Sequence, residues 1–179
     1  MLVEDHGVLR EGLEMLLAIE GFEIVASTSD PSDAVSLAAD TAPDIALIDI
    51  FLGKGSGIEV ARRMLWDHPE LGVIVYTGHD DVELAIQSLD LGARGYALKD
   101  RPPQELVAAI RSVAAGGTYI DPRLQSSLLG AGSTDAERLA LSLLSPVTVI
   151  QGLAQMLTRE SDLLTSDQRE NVHRIAAAS

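Results

Sequence analysis

Apolar positions in the first two-thirds of the chain follow two alternating rhythms. Short continuous apolar runs fall at Met1–Val3, Glu23–Ser27, Ile45–Asp49, Gly72–Thr77 and Gly95–Leu98. Runs of this length suit strands covered on both faces. Between them, apolar residues recur at helical spacing. Val8, Leu9, Gly12, Leu13, Leu16 and Leu17 form one stripe, and further helices are predicted near Pro31–Thr41, Gly57–His68, Asp81–Leu91 and Pro103–Ala115. Asp30 ahead of Pro31 is a start signal: a carboxylate can accept from the unpaired amides of a first turn, and proline's fixed φ suits that turn. Five strands alternating with five helices predict an α/β fold, a doubly wound five-stranded parallel sheet. Gly116-Gly117 ends the fifth helix, and residues 121–134, rich in Ser and Gly, read as a linker.

The rhythm changes beyond the linker. Leu139, Leu143, Pro146, Ile150, Leu153 and Leu157 follow a 4-3-4-3-4 spacing, the period of a helix seam packing on another helix. The segment from Leu139 to Leu157 has no charge, but Ser142, Ser145, Thr148, Gln151 and Gln155 punctuate it, so no membrane span is expected. Thr165 and Gln168 form a capping-box start for a second helix presenting Val172 and Ile175. The predicted organisation is therefore a domain over 1–120, a linker over 121–134 and a two-helix hairpin over 135–179.

Charge and composition narrow the function. The formal charge is -14, and Lys and Arg are dispersed, so no nucleic acid is expected as a partner. There is no cysteine, which excludes disulfides and thiolate metal sites. No basic-then-apolar leader precedes the first strand, and a cytoplasmic location is expected.

The predicted strand ends carry the chemistry. The first is followed by Glu4-Asp5, the third closes on Asp49, the fourth ends in Thr77, and Lys99 follows the fifth. In parallel α/β sheets these ends face the ligand crevice. Three carboxylates meeting there repel one another unless a cation is present, and a hard divalent ion such as Mg²⁺ resolves that conflict with oxygen ligands. Lys99 adds a positive charge and Thr77 a hydroxyl donor. The set suits phosphoryl transfer to an oxygen nucleophile, and Asp49 is the carboxylate placed to become an aspartyl phosphate. His6 and His79 lie near these positions but have no metal-ligand spacing, and are read as neighbours.

The residues Val3-Glu4-Asp5-His6, Asp49, Thr77-Gly78 and Gly92-Ala93-Arg94-Gly95-Tyr96-Ala97-Leu98-Lys99-Asp100 closely resemble the receiver domain of two-component response regulators. Gly92–Asp100 and the trailing Ala114-Ala115-Gly116-Gly117-Thr118-Tyr119 look most like receivers that precede LuxR-type DNA-binding domains. The resemblance implies a flavodoxin-like fold and a sensor histidine kinase as phosphodonor to Asp49. Mg²⁺ would sit on Asp5, Asp49 and the backbone carbonyl of Phe51, with Glu4 acting through water. Thr77 and Tyr96 would form the switch, Thr77 moving toward the phosphoryl group and Tyr96 following inward. The chain would be a phosphoacceptor, not an enzyme beyond its own phosphotransfer and dephosphorylation.

This sequence departs from that family at two points. Gly53 replaces the usual proline four residues after the phosphorylated Asp. Phe51 and His79, at positions that tune phosphate lifetime, are neither carboxylate nor amide, so a long-lived phosphoryl state is expected.

The hairpin resembles the dimerisation hairpin of sensor histidine kinases, through Leu143-Leu144-Ser145-Pro146-Val147-Thr148-Val149-Ile150-Gln151-Gly152 and Leu164-Thr165-Ser166-Asp167-Gln168-Arg169-Glu170. Leu141 stands where that family has its phosphorylated histidine. The resemblance implies a homodimerisation module without phosphotransfer chemistry. Three readings follow: a response regulator signalling through protein contacts, a fragment or degenerate form of a hybrid histidine kinase with an N-terminal receiver, or a DNA-binding regulator with a divergent output domain.

Overall fold

The computed structural model describes residues 1–124. The hairpin, Leu141 and most of the expected linker lie outside the described residues.

The elements in chain order are β1 (Leu2–Val3), α1 (Gly7–Ile19), β2 (Ser27–Thr28), α2 (Pro31–Thr41), β3 (Ile45–Ile48), β4 (Phe51–Leu52), β5 (Gly55–Ser56), α3 (Gly57–Asp67), β6 (Gly72–Thr77), α4 (Val82–Asp90), β7 (Gly95–Leu98), α5 (Pro103–Ala114) and β8 (Tyr119–Ile120). The main sheet has the order β2-β1-β3-β6-β7-β8, and every adjacent pair in it is parallel. Its centre is dry on both faces: all of β6 is buried, as are Ala46, Leu47 and Ile48 of β3. One face packs Leu47, Ile74, Tyr76 and Ala97 against Leu13 and Leu17 of α1 and Leu106, Ala109, Ile110 and Val113 of α5. Strand alternation turns Ile48, Val73 and Val75 to the opposite face.

The helix starts follow local chemistry. The Asp30 carboxylate accepts from the Ser32 amide at 3.0 Å with Pro31 in the first turn, and Asp81 caps α4 by accepting from Glu83 and Leu84 at 2.8 and 3.2 Å.

Three features differ from the sequence expectation. The sheet has six strands rather than five, because Tyr119–Ile120 adds beside β7, in register with Gly95 and Tyr96. The second strand is confined to Ser27–Thr28; with Ser27 opposite Leu2, Glu23–Val25 lie beyond the end of β1. Residues 121–124, expected as the start of the linker, pack on the domain. Asp121 and Leu124 are buried, the Asp121 amide donates to the Tyr96 carbonyl at 3.0 Å, and its carboxylate lies 3.2 Å from Arg101 Nε. Among the described residues, no helix is long and apolar enough to cross a membrane.

Candidate functional site

The carboxyl ends of β1, β3, β6 and β7 deliver Glu4-Asp5, Asp49, Thr77 and Lys99 to one edge of the sheet. Lys99 is the hub. Its Nζ lies 2.7 Å from Glu4 Oε2 and 2.8 Å from Asp49 Oδ2, while its amide donates to the Thr77 carbonyl at 2.8 Å. The Glu4 and Asp49 side chains are only 3% and 5% exposed. Buried acids without a counter-charge are costly, and one ammonium serves both.

The remaining oxygens are unequally satisfied. Glu4 Oε1 accepts from the His6 amide at 3.1 Å and lies 3.0 Å from His6 Nδ1, so both Glu4 oxygens are engaged. Asp49 Oδ1 has only a long 3.4 Å contact from the Phe51 amide. Asp5 Oδ2 accepts from the Gly53 amide at 2.8 Å. Asp5 Oδ1 is buried and has no hydrogen-bond donor; His6 Nδ1 sits 2.9 Å away but off the line of a hydrogen bond. Burial works to raise the Asp5 carboxyl, but the Gly53 amide, His6 and Lys99 outweigh it and hold the group below its usual range.

Glu4, Asp5, His6 and Asp49 each place a ligand atom within 4.8 Å of the others. Carboxylate oxygens that dense, with Asp5 Oδ1 lacking a donor and Asp49 Oδ1 weakly held, fit a hard divalent cation. His6, read from sequence as a bystander, is in this cluster. His79 is not: its ring packs on Phe51 at a 4.4 Å centroid distance, and its amide donates to Thr77 Oγ1 at 3.3 Å. Tyr96 is fully buried and its hydroxyl donates to the His79 carbonyl at 2.9 Å. Burial, reinforced by Asp81, Asp80 and Asp49, raises its phenol strongly.

Two further residues shape the site without signalling themselves by type. Gly57 begins α3 against the Asp49 backbone, where an added Cβ would come within 1.7 Å of the Asp49 carbonyl oxygen. Gly53, noted as a departure from the family pattern, supplies the amide that holds Asp5, a donor that proline lacks. The Gly53-Lys54 turn also closes a small antiparallel hairpin, β4 with β5.

Comparison with known proteins agrees with this geometry. Residues 1–111 match the family model described as response regulator receiver domain. The chain is 37% identical over 130 residues to the transcriptional regulatory protein DegU of Brevibacillus brevis, covering 72% of this chain and 55% of that one. It is 32% identical over 157 residues to the DNA-binding transcriptional activator DevR/DosR of Mycobacterium tuberculosis, covering 80% and 72%. A LuxR-family two-component response regulator from Aurantimonas sp. SI85-9A1 superposes with a TM-score of 0.70 at 32% identity, over 73% of this chain and 94% of that one. The chain spans 55–60% of the length of the DegU and NreC relatives it matches. With the sheet order, the acidic edge and these matches together, the chain belongs to the response regulator receiver domain family.

Proposed function

We propose that this protein accepts a phosphoryl group on Asp49 from the phosphohistidine of a sensor histidine kinase. The observation that carries the reading is Lys99 Nζ set between Asp49 Oδ2 at 2.8 Å and Glu4 Oε2 at 2.7 Å, beside the acidic cluster. In the transfer, the donor's N–P bond breaks, a bond forms from phosphorus to an Asp49 carboxylate oxygen, and the released imidazole takes up a proton. Asp5, Asp49 and the Phe51 backbone carbonyl would hold Mg²⁺, with Glu4 acting through water. Bound there, the ion neutralises the oxygens being transferred. Lys99, already against Asp49, follows the charge onto the phosphoryl oxygens. The Thr77 hydroxyl donates to one of them, which pulls on the Thr77–His79 turn and, through the Tyr96–His79 hydrogen bond, on β7. Such a local charge change biases a two-state surface.

The output reading is that the C-terminal segment 135–179 forms a homodimerising hairpin without phosphotransfer chemistry, Leu141 replacing its histidine. A second reading has its own support. DevR/DosR is named as DNA-binding, which speaks against the expectation of no nucleic-acid partner; that expectation rests on the acidic composition of these 179 residues alone.

Incubation with acetyl phosphate and Mg²⁺ followed by intact mass measurement tests the core proposal. Wild type gains one phosphoryl group and Asp49→Asn gains none; equal uptake by both overturns it. Light scattering and salt-dependent DNA binding on phosphorylated chain separate the two outputs.

A further inference from the structure

We propose that residues 119–124 form a clasp that phosphorylation of Asp49 opens, carrying the state of the site to the chain beyond Leu124. The inference rests on reading Asp49 as a phosphoacceptor.

Two ion pairs build the clasp. Asp100 and Arg101 immediately follow Lys99, whose ammonium lies against Asp49. Asp100 pairs with Arg123, and Arg101 Nε lies 3.2 Å from Asp121 Oδ2. Backbone bonds complete the hold: the Tyr119 amide donates to the Arg94 carbonyl at 2.9 Å, and the Asp121 amide to the Tyr96 carbonyl at 3.0 Å. Leu124, whose amide donates to the Asp121 carbonyl at 3.0 Å, is thereby seated at 1% exposure.

Both loops that respond to a phosphoryl group reach this segment. Lys99, drawn onto the phosphoryl oxygens, carries Asp100 and Arg101 with it, while the loop after β6 follows Thr77. That loop contains Asp80, whose charge acts on Arg123, and the His79 carbonyl that receives the Tyr96 hydroxyl. Residues 119–124 are therefore fixed to two loops whose spacing depends on what Asp49 carries.

The energetics suit a switch. The Asp121 side chain is 1% exposed, yet Arg101 Nε and Asp121 Oδ2 face each other without a hydrogen bond. In a buried pair, desolvation offsets most of the attraction, so a small shift of Arg101 is enough to release Asp121 to water. With the Asp49 carboxylate paired to Lys99, Asp121 and Leu124 are already buried. Opening is the change left to the signal.

Hydrogen exchange across residues 119–124 of the full chain, followed by mass spectrometry with and without acetyl phosphate and Mg²⁺, tests this. Intact mass records phosphorylation in the same samples. Phosphorylation should speed exchange there roughly tenfold in wild type, and Asp49→Asn should not respond. Asp121→Asn should exchange fast in both states, so that phosphorylation no longer changes the rate. Asp100→Ala, at a pair about half exposed, should lose the response in the same way without disturbing a buried group. Wild type that gains a phosphoryl group with unchanged exchange, or a full response retained in both clasp variants, overturns the clasp and leaves the phosphoacceptor reading standing. No mass gain in wild type overturns both.

Discussion

Replacing Lys99 with methionine removes the ammonium while keeping most of the side-chain volume. The perturbation is severe because Lys99 is 17% exposed and its two acidic partners are 3% and 5% exposed. At 2.7 and 2.8 Å, each attraction is roughly 6 kcal/mol at an effective dielectric constant of about 20. Desolvation of three charges offsets most of that gross figure, so it is not the stability of the cluster. What Lys99→Met leaves is two buried carboxylates with no counter-charge, a situation that costs about 3–5 kcal/mol. Domains of this kind are stable by about 5–15 kcal/mol. Urea unfolding followed by circular dichroism should therefore show the midpoint falling by roughly 2 M, taking a slope of about 2 kcal/mol/M. Mg²⁺ should restore part of the loss by returning positive charge to the pocket. Asp49→Asn should behave oppositely: it removes one of two acids sharing an ammonium, and stability should hold or rise. An unchanged midpoint for Lys99→Met, or equal destabilisation by the two variants, would refute the electrostatic argument.

Gly57→Ala should destabilise by about 3 kcal/mol, since the new methyl meets backbone rather than a movable side chain; a urea midpoint equal to wild type contradicts this. Asp30 is held at about 2 by the Ser32 hydroxyl and amide and by Lys54, against 3.8 ordinarily. Its folded pKa is depressed, so its stabilising effect is present above 3.8 and is lost as pH falls through 2; a carboxyl NMR titration should give a midpoint near 2. Gly53→Pro removes the amide bonded to Asp5 Oδ2, and the Asp5 carboxyl should then titrate at higher pH than in wild type. The Phe51–His79 contact leaves no carboxylate or amide at those two positions to orient water, so the aspartyl phosphate should persist; autodephosphorylation with a half-life of seconds would remove that expectation.

Features set by neighbours in the chain were legible from sequence. Asp30-Pro31 announces the start of α2 because cap and proline act within one turn, and the apolar runs at β3 and β6 are continuous because both faces are covered. Asp5, Asp49, Thr77 and Lys99, at the ends of the first, third, fourth and fifth expected strands, mark the site in the sequence itself. Features that depend on distant partners were not legible. β8 is two residues long and exists through its register with β7, while residues 121–124 look polar and loose until Asp121 meets Arg101 and Tyr96. The Gly53 amide reaches an acid 48 residues away, and glycine carries no sign of a donor's target. His6 and its two predecessors form a cluster only because β3 brings Asp49 to the same edge, a proximity that spacing along the chain does not show.

The central claim is that Asp49 itself carries the phosphoryl group. Borohydride reduces an acyl phosphate to the alcohol, so chain phosphorylated with acetyl phosphate and Mg²⁺, then reduced and sequenced by tandem mass spectrometry, should show homoserine at position 49. Phosphorylated chain that yields its reduced residue at another acid, or none at position 49, would contradict the account.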